Sequence, residues 1–420
     1  MLVLYSFALL LVLVAGAPYW LLRMATSGKY REGLGERLGR VPRRLRTGGR
    51  VIWVHAVSVG EVLAASRLIG ELEARSGCRV MVSTTTRTGQ RLARERFGDD
   101  RVFYFPLDFA FAVRAYLRAL RPVLVVLLET EFWPRMLTEC GRAGIPMAVV
   151  NARISDRSWP RYRRLRFLWR RLLDGFAVAL AQSETDAERL RALGASNVGV
   201  GGNLKYDIRV ARPAAVTEAL RTQIGPGTPV GARVVVCGST VEGEEELLVR
   251  AMPEDAVMVL APRHPERFDG VATMLKEHGV RHVRRSQWME APTPLDAGVV
   301  VLLDSIGELA SVYSLATVAV VGGGFFAPGG HNPLEPAQFG VPVVMGPHYE
   351  NFRGIVDELK AADAVVLAEP LALASNLRVL LDNPAKARAM GARAKAVFER
   401  EAGATARAVE ALMAMLERPA

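Results

Sequence analysis

The chain has 420 residues, of which 50% are hydrophobic and 23% are charged, a balance that is typical of a globular protein and excludes a disordered one. Its formal net charge of +11 predicts an anionic partner, which composition alone does not identify as nucleic acid, anionic lipid or a phosphorylated substrate. The three cysteines, Cys78, Cys140 and Cys237, are far apart, which argues against a disulfide framework or a zinc site and favours a reducing compartment.

An apolar stretch without any charged residue runs from Leu2 to Leu22. At about 1.5 Å per residue it is roughly 30 Å long as a helix, which matches the hydrocarbon core of a bilayer. A cleaved signal peptide is the alternative, but no basic segment precedes the stretch and Pro18 would follow the cleavage site, so we predict a retained anchor over residues 1–24. Residues 29–50 hold eight basic and two acidic side chains, which predicts that the rest of the chain is cytoplasmic.

Short apolar runs alternate with helical stretches after residue 50. The runs in the first half are continuous in Val, Leu and Ile, which is typical of strands buried on both faces of a parallel sheet. These candidate strands are residues 51–56, 79–83, 102–105, 123–128, 147–150, 177–181 and 198–200. The alternation predicts a doubly wound α/β domain over residues 25–207.

Residues 208–230 interrupt the alternation with three prolines and two glycines, and we predict an interdomain linker there. Further candidate strands then follow at residues 234–237, 257–260, 299–303, 318–321, 341–345 and 364–367, with alanine-rich helices after Pro384. They predict a second doubly wound domain over residues 231–420. Two Rossmann-like domains that face a cleft would bind ligands at the carboxyl ends of their strands.

Acidic residues follow two predicted strands of the first domain. Ser58, Gly60 and Glu61 lie where the first strand leads into a helix, so Glu61 could act as a general base towards a hydroxyl. Alternatively, Ser58 and Glu61 form a helix capping box. Glu129 and Glu131 follow a buried strand and could orient a basic residue or an acceptor, or simply favour a helix N-terminus. We predict the three acids to be catalytic, and Ser58 and Gly60 to contact the substrate.

Two basic residues of the first domain are candidates for binding an anion. Arg87 lies in the segment Thr84-Thr85-Thr86-Arg87-Thr88-Gly89, which suits either an anion at a helix start or a simple turn and N-cap. Lys205, in Lys205-Tyr206-Asp207 at the predicted domain junction, could neutralise a phosphate.

A glycine-rich segment follows the candidate strand at residues 318–321. It reads Gly322-Gly323-Gly324 and, after a short gap, Gly329-Gly330-His331-Asn332-Pro333-Leu334-Glu335. Its glycines permit a ligand to approach the backbone, and the helix that follows directs amides towards it. Asn332 and Glu335 also suit helix capping, whereas capping does not explain His331, which we predict to contact a ligand. The spacing differs from GxGxxG, which argues against a dinucleotide cofactor.

Five further residues of the second half lie at the carboxyl ends of predicted strands: Ser239, Arg263, His264, Gly307 and Glu308. Arg263 could neutralise a phosphate and Ser239 could donate a hydrogen bond to one. Each residue taken singly is compatible with an ordinary loop, but because all five converge on one rim of the predicted cleft, we predict that they contact the substrate.

Residues 157–171 hold seven arginines and no acid. At helical spacing, Tyr162, Leu165, Leu168, Trp169 and Leu172 fall on one face. This pattern predicts a basic amphipathic helix at a membrane surface, and the alternative is a helix that packs its apolar face in the core.

Taken together, these motifs resemble those of the bacterial 3-deoxy-D-manno-octulosonic acid (Kdo) transferases of lipopolysaccharide synthesis over essentially the whole chain. The motifs are H-A-x-S-V-G-E, E-T-E-x-W-P, G-N-x-K-Y-D, G-S-T-x-x-G-E-E, P-R-H, I-G-E-L and G-G-H-N-x-L-E-P. The resemblance implies a GT-B fold, CMP-Kdo as donor, a lipid A precursor as acceptor, inversion without a metal or cofactor, and residence at the cell inner membrane.

The resemblance also implies that Glu61 is the general base and that Glu335 contacts the ribose of CMP. The other residues that it places around CMP are Lys205, Ser239, Arg263, Gly307, His331 and Asn332. Arg87 stands where many members carry proline, which leaves the role of residues 84–89 open.

Two other functions are compatible with parts of the sequence. A GT-B enzyme could use a UDP-sugar, as lipid A disaccharide synthase and UDP-sugar epimerases do. The basic composition alone suggests nucleic-acid binding, but no nucleic-acid-binding module is recognisable and we expect no nucleic-acid partner. We expect inner-membrane lipids to contact the anchor and the basic patches instead.

Overall fold

The computed structural model describes residues 2–27, 31–46, 48–209, 212–224, 233–326 and 329–417. The chain forms two compact units, of which the first comprises Met1–Ile208 and Glu401–Ala420 and the second comprises Arg209–Arg400. Each unit is built on a seven-stranded sheet whose described strand pairs are all parallel. These sheets and the long apolar helix at the N-terminus confirm the prediction of two doubly wound α/β units preceded by an apolar helix.

The first sheet has the strand order β3-β2-β1-β4-β5-β6-β7. Its strands are β1 (Val51–His55), β2 (Arg79–Thr84), β3 (Val102–Tyr104), β4 (Pro122–Leu128), β5 (Met147–Ala152), β6 (Phe176–Ala181) and β7 (Val198–Val200). The first helices of the chain are α1 (Leu2–Ser27), α2 (Leu34–Arg37), α3 (Val59–Ser76), α4 (Arg87–Phe97), α5 (Ala110–Leu120), α6 (Pro134–Arg142), α7 (Trp159–Arg164), α8 (Arg166–Leu173) and α9 (Glu184–Leu193). The strand order reverses between β1 and β4, which is the position where doubly wound sheets bind ligands.

Strand β1 shows why the apolar runs have no polar alternation. Successive side chains of a strand point to opposite faces of the sheet. Val51 and Trp53 belong to one hydrophobic cluster and Ile52 and Val54 to another. Because helices cover both faces, every position of the strand is buried, and Val51 to Val54 are all apolar; only the last residue, His55, is polar.

Helix α1 is long and apolar enough to cross a bilayer over Leu2–Trp20, and none of that stretch is buried inside the protein. Its first turns contact the start of α6. The Arg135 guanidinium donates to Ser6 Oγ at 2.8 Å and to the carbonyl oxygen of Leu2 at 2.9 Å. Met1, at the start of the predicted anchor, lies outside the described residues.

The second sheet has the strand order β10-β11-β9-β8-β12-β13-β14. Its strands are β8 (Arg233–Thr240), β9 (Ala256–Pro262), β10 (His282–Arg284), β11 (Val300–Leu302), β12 (Val318–Val321), β13 (Val343–Met345) and β14 (Val365–Leu367). The helices of this unit are α10 (Ala215–Gln223), α11 (Glu244–Ala251), α12 (Phe268–Glu277), α13 (Arg285–Trp288), α14 (Leu309–Val312), α15 (Leu334–Ala337), α16 (Arg353–Ala361), α17 (Leu373–Asp382) and α18 (Pro384–Glu401). Here the strand order reverses between β8 and β12.

The two units differ from the predicted domain boundaries in two places. Helix α10 lies inside the predicted linker, and its Val216 and Leu220 belong to a core cluster of the second unit. Residues 210–211 and 225–230 of that linker lie outside the described residues. The last helix, α19 (Ala404–Glu417), was predicted in the second domain but packs on α3 of the first unit.

Asp207 attaches α19 to the first unit. Its carboxylate accepts the backbone N–H of Gly403 at 2.6 Å and the backbone N–H of Thr405. Both amides belong to the start of α19, where helix N–H groups have no partner within the helix. The residue that caps this helix is therefore distant in the chain, since Asp207 and Gly403 are 196 positions apart.

We expect Asp207→Ala to lower the free energy of unfolding by about 2 kcal/mol, because two amides at a buried helix start lose their acceptor. Denaturant unfolding measures the change, and hydrogen exchange should locate it in α19. Glu410→Ala is the matched control, because it removes an exposed ion pair between α19 and Arg75. Equal losses of stability in the two variants would contradict this role of Asp207.

Candidate active site

Glu61 lies in the first turn of α3, directly after the carboxyl end of β1. Its carboxylate accepts the backbone N–H of Val57 at 2.9 Å and the hydroxyl of Ser58 at 2.9 Å, while its own N–H points at Ser58 Oγ at 3.5 Å. This is the capping box that the sequence offered as the alternative to catalysis. The two roles are compatible, because a carboxylate has about four lone-pair positions and the cap occupies two of them.

Burial raises the pKa of Glu61 to about 7. The charges of Glu129 and Glu131 raise this pKa as well, whereas the hydrogen bonds from Val57 and Ser58 lower it. The side chain is only 8% exposed, so loss of solvation of the charged form dominates. A carboxyl group with a pKa near neutrality can accept a proton from a hydroxyl more readily than an ordinary glutamate.

Glu129 and Glu131 follow β4, the neighbour of β1 at the point where the strand order reverses. Glu129 has a left-handed backbone conformation with φ of 54°, and its carboxylate lies 4.0 Å from Lys205 Nζ. Burial raises the pKa of Glu131, and the indole N–H of Trp133 donates to its carboxylate at 3.0 Å. The structure therefore brings together the three predicted acids and Lys205.

Two asparagines that the sequence analysis missed hold the turn that carries Lys205. Asn203 Oδ1 accepts the backbone N–H of Lys205, and Asn151 Oδ1 accepts that of Leu204, both at 3.0 Å. Asn151 has φ of 60°, a conformation that asparagine tolerates better than most residues. Asn151 could have been identified from the sequence, because it is a polar residue near the end of a buried apolar strand.

The segment 84–89 supports the loop that leads to Glu61. The backbone N–H groups of Thr85 and Thr86 donate to the carbonyl oxygen of Val57 at 3.2 and 3.1 Å, and Thr86 Oγ caps α4. A Cβ atom on Gly89 would lie 3.3 Å from the backbone of Val57, so glycine lets the two loops pack closely. The side chain of Arg87 is 77% exposed and forms an ion pair with Glu32 at 3.0 Å. Substrate contact by Arg87 stays a prediction.

Gly60 lies exposed in the first turn of α3, between Ser58 and Glu61. A Cβ atom there would come no closer than 3.9 Å to a neighbouring atom, the Oγ of Ser58. The absence of a side chain leaves the surface beside Glu61 open.

In the second unit, His331 is associated with Arg263 and His264. Burial, together with the charges of Arg263 and His264, lowers the pKa of His331 to about 4. The imidazole is therefore neutral at pH 7, with one ring nitrogen able to donate and one to accept. Nε2 is buried and forms no hydrogen bond with any described residue.

Asn332 and Glu335 lie at the start of α15. Asn332 Oδ1 accepts the backbone N–H of Leu334 at 3.1 Å, and Asn332 Nδ2 lies 3.5 Å from the Glu335 carboxylate. Burial raises the pKa of Glu335, while Arg263 and Asn332 lower it. The charge of Arg263 thus lowers the pKa of both His331 and Glu335.

Ser239, the last residue but one of β8, has a left-handed conformation with φ of 57°, and its carbonyl oxygen packs against Gly322. Gly307 is exposed and also has a positive φ of 92°. Glu308 is held inside its own loop, because it accepts from Arg285 at 2.6 Å and from the hydroxyl of Ser305. Contact of Ser239, Gly307 and Glu308 with a substrate stays a prediction.

The paired acids at the start of α11 were not predicted from the sequence. Glu244 accepts backbone N–H groups of the loop at residues 322–325. Glu245 accepts from Arg267 at 2.6 and 2.9 Å and from the hydroxyl of Thr240. Both acids are buried. The motif G-S-T-x-x-G-E-E contained them, but acids in the first turn of a helix are common and gave no sign of these partners.

The predicted amphipathic helix at residues 157–171 is two short helices, α7 and α8, that meet at Leu165. Part of its apolar face packs in the core of the first unit, where Tyr162 and Trp169 contact the ring of Phe132, whereas Leu165 of the same face is exposed. The core-packing alternative is therefore correct for the part of the face that holds Tyr162 and Trp169. Phe167 points the other way and is 66% exposed.

No group of three or more His, Cys, Asp or Glu residues in the described ranges is arranged to hold a metal ion.

Comparison with known proteins places the chain in a family. The family model described as 3-deoxy-D-manno-octulosonic-acid transferase (kdotransferase) matches residues 32–208. A 3-deoxy-D-manno-octulosonic acid transferase of Bordetella pertussis is 36% identical over 378 residues, which cover 86% of each chain. Another, of Haemophilus influenzae, is 31% identical over 405 residues, which cover 93% of each chain.

Among solved structures, the UDP-GlcNAc 2-epimerase of Neisseria meningitidis has a TM-score of 0.58 and covers 87% of this chain and 100% of the epimerase. With 14% sequence identity, this likeness shows the fold alone. It confirms the predicted GT-B fold.

The raised pKa of Glu61 predicts how stability depends on pH. Between pH 4.5, the ordinary pKa, and about 7, the folded chain retains a proton on Glu61 that the unfolded chain releases. The stability of the wild type relative to Glu61→Gln should therefore fall by roughly 3 kcal/mol as the pH rises across this range. Denaturant unfolding of both proteins at several pH values tests this, and a difference that stays constant or grows with pH would contradict it.

Proposed function

Because the chain belongs to the family of 3-deoxy-D-manno-octulosonic acid (Kdo) transferases, we propose that it moves Kdo from CMP-Kdo to a lipid A precursor, lipid IVA, with inversion at the sugar carbon. The chain is thus a glycosyltransferase of lipopolysaccharide core synthesis. The observation that carries the assignment of its chemistry is Glu61, a buried carboxyl at the reversal of the first sheet with a pKa of about 7.

In this proposal Glu61 is the general base. The acceptor hydroxyl gives its proton to a free lone pair of the carboxylate as its oxygen attacks the sugar carbon. The bond from that carbon to the phosphate of CMP breaks, and CMP leaves as a phosphate monoester. Val57 and Ser58 hold the carboxylate in one orientation through the capping box, so little reorganisation is needed when the proton moves.

Lys205, which lies 4.0 Å from the Glu129 carboxylate, and Glu131 would support this step from the neighbouring loops. The ammonium group of Lys205 offsets part of the negative charge that the three acids concentrate. Glu131, whose pKa burial raises, is suited to donate or accept a hydrogen bond with the acceptor sugar.

The second unit would bind the donor. Arg263 supplies a positive charge for the phosphate, and neutral His331 supplies a ring nitrogen without an internal partner. Glu335 can accept hydrogen bonds from ribose hydroxyls, which a buried carboxylate needs if it is to remain ionised. Ser239, His264, Asn332, Gly307 and Glu308 belong to the loops that would surround the nucleotide.

The proposed location is the cell inner membrane, with a single pass through α1 and the two units in the cytoplasm. The length and composition of α1 and the basic residues 29–50 support it. If α1 spans the membrane, its two ends lie on opposite sides of a hydrocarbon core about 30 Å thick. The contact of Arg135 with Ser6 and Leu2 would then have to break when α1 inserts.

Residues 157–171 offer a second contact with anionic lipids. In the described ranges, none of the seven arginines of this segment forms an ion pair, although arginines elsewhere in the chain commonly do. Exposed Phe167 and Leu165 lie among them. Guanidinium groups around exposed apolar side chains suit the headgroup region of an anionic bilayer.

We expect Glu61→Gln to lose nearly all transfer of Kdo while it still binds CMP. The assay mixes the purified full-length protein with CMP-Kdo and a tetra-acylated lipid A precursor and counts the added sugars by mass. The control is Asp186→Asn, because Asp186 forms the corresponding capping box of α9 with Ser183 and is also 8% exposed. Asp186→Asn should retain turnover. Wild-type turnover by Glu61→Gln would rule out Glu61 as the base.

A nitroxide at position 167 should report contact with anionic lipid. All three native cysteines are buried, so Phe167→Cys can be labelled selectively in the reconstituted protein. We expect the label to contact lipid in vesicles that contain anionic lipid. The combined substitution of Arg166, Arg170 and Arg171 by Gln should abolish this contact, since each arginine near such a surface contributes about 1 kcal/mol.

A label at Glu95→Cys, on the exposed side of α4, is the control and should remain in water. Contact at position 167 that does not depend on lipid charge or on the three arginines would contradict the proposed docking surface.

A further inference from the structure

Glu244 is a carboxylate that is completely enclosed by the second unit, with 0% exposure. It accepts the backbone N–H of Gly323 with both oxygens, at 2.9 and 2.8 Å, and those of Gly324 and Phe325 at 3.0 and 3.1 Å. The backbone N–H of Val241 adds a bond at 3.1 Å. Four main-chain amides therefore converge on one side chain.

Successive backbone N–H groups that point to one place form an anion-binding nest, the arrangement with which many proteins hold phosphate. The glycine loop at residues 322–325 forms such a nest after β12, at the reversal of the second sheet. A phosphate of the donor would be the expected occupant. Glu244 occupies the nest instead, so these amides are already satisfied.

The glycines of the loop are required by close neighbours. A Cβ atom on Gly322 would lie 2.6 Å from Glu244 Oε2, and one on Gly323 would lie 2.4 Å from the His331 ring. The carbonyl oxygen of Gly323 also accepts the backbone N–H of Gly330, at 2.7 Å, next to His331. The loop is therefore packed between Glu244 on one side and His331 on the other.

We propose that Glu244 is a positioning residue for the donor site: its carboxylate takes the place of a ligand anion in the nest, fixes the glycine loop, and thereby sets the position of His331. The proposal rests on the proposed function, because His331 is assigned there to the donor phosphate. The glycine loop acts on the donor site through its packing against His331, and its amides take no part in binding the nucleotide.

The test compares Glu244→Gln with Glu245→Gln in the full-length protein. The two acids are adjacent and similarly buried, but Glu245 binds Arg267 and Thr240 and makes no bond to the glycine loop. We expect Glu244→Gln to raise the Kd for CMP and the KM for CMP-Kdo about ten-fold or more, because an amide cannot accept from all these donors. The effect on kcat at saturating donor should be smaller, and Glu245→Gln should stay within about two-fold of the wild type in Kd.

An unchanged Kd in Glu244→Gln, or equal increases in the two variants, would overturn the proposal. Hydrogen exchange in the wild type gives a second test that needs no substitution. The amides of Gly323, Gly324 and Phe325 should exchange slowly before CMP is added and no more slowly afterwards. Marked slowing by CMP would mean that the nucleotide, rather than Glu244, occupies the nest.

Thermal stabilisation of the wild type by CMP and by UDP separates failure of this proposal from failure of the proposed function. If UDP stabilises the protein and CMP does not, the donor class is wrong. The Kd values of Glu244→Gln and Glu245→Gln are then compared for UDP instead of CMP. A larger increase in Glu244→Gln would still support the positioning role of Glu244, and equal increases would overturn it.

Discussion

Buried carboxylates that accept backbone N–H groups hold the loops of both units in place. Parallel strands with buried ends lead into loops whose amides lie away from water, and each such amide needs an acceptor. Glu61, Asp108, Asp186, Asp207 and Glu244 all provide one. Removing such an acceptor leaves buried donors unsatisfied, which is more damaging than the loss of an average hydrogen bond.

At Glu61 the same interaction accompanies a raised pKa. Burial and the two neighbouring acids raise its pKa, while the two hydrogen bonds of the cap lower it, and the result lies near neutrality. In an exposed helix, only the hydrogen bonds of the cap would act on the pKa of a capping acid, and they would lower it. The difference comes from the position of α3, which starts at the reversal of the strand order beside the loop that carries Glu129 and Glu131.

The sequence predicted the strands well where burial on both faces required continuous apolar runs, as in β1 and β4. It missed β10, because His282–Arg284 is a short edge strand with polar residues. It misplaced α19, because an alanine-rich helix carries no signal of which sheet it will cover. The partner of its N-terminus, Asp207, is known only from the folded chain.

The sequence predicted that Glu61, Glu129, Glu131 and Lys205 lie together, as the structure shows, but it left their contacts open. Ser58 and Glu61 fit a cap and a base in sequence; the structure shows the cap, and burial of the carboxyl raises its pKa. The glycines at residues 322–324 predicted a close approach, yet the approaching groups are Glu244 and His331 of the same chain. Such partners are distant in sequence, so local patterns do not reveal them.

The return of α19 to the first unit makes the second unit an insertion within the first. The polypeptide leaves the first unit after Ile208 and re-enters it at Glu401. During synthesis, the apolar surface of α3 that α19 covers stays open until the whole second unit and then residues 404–417 have left the ribosome. The first unit is thus begun before the second but completed after it, and loss of α19 would uncover the core of the unit that is made first.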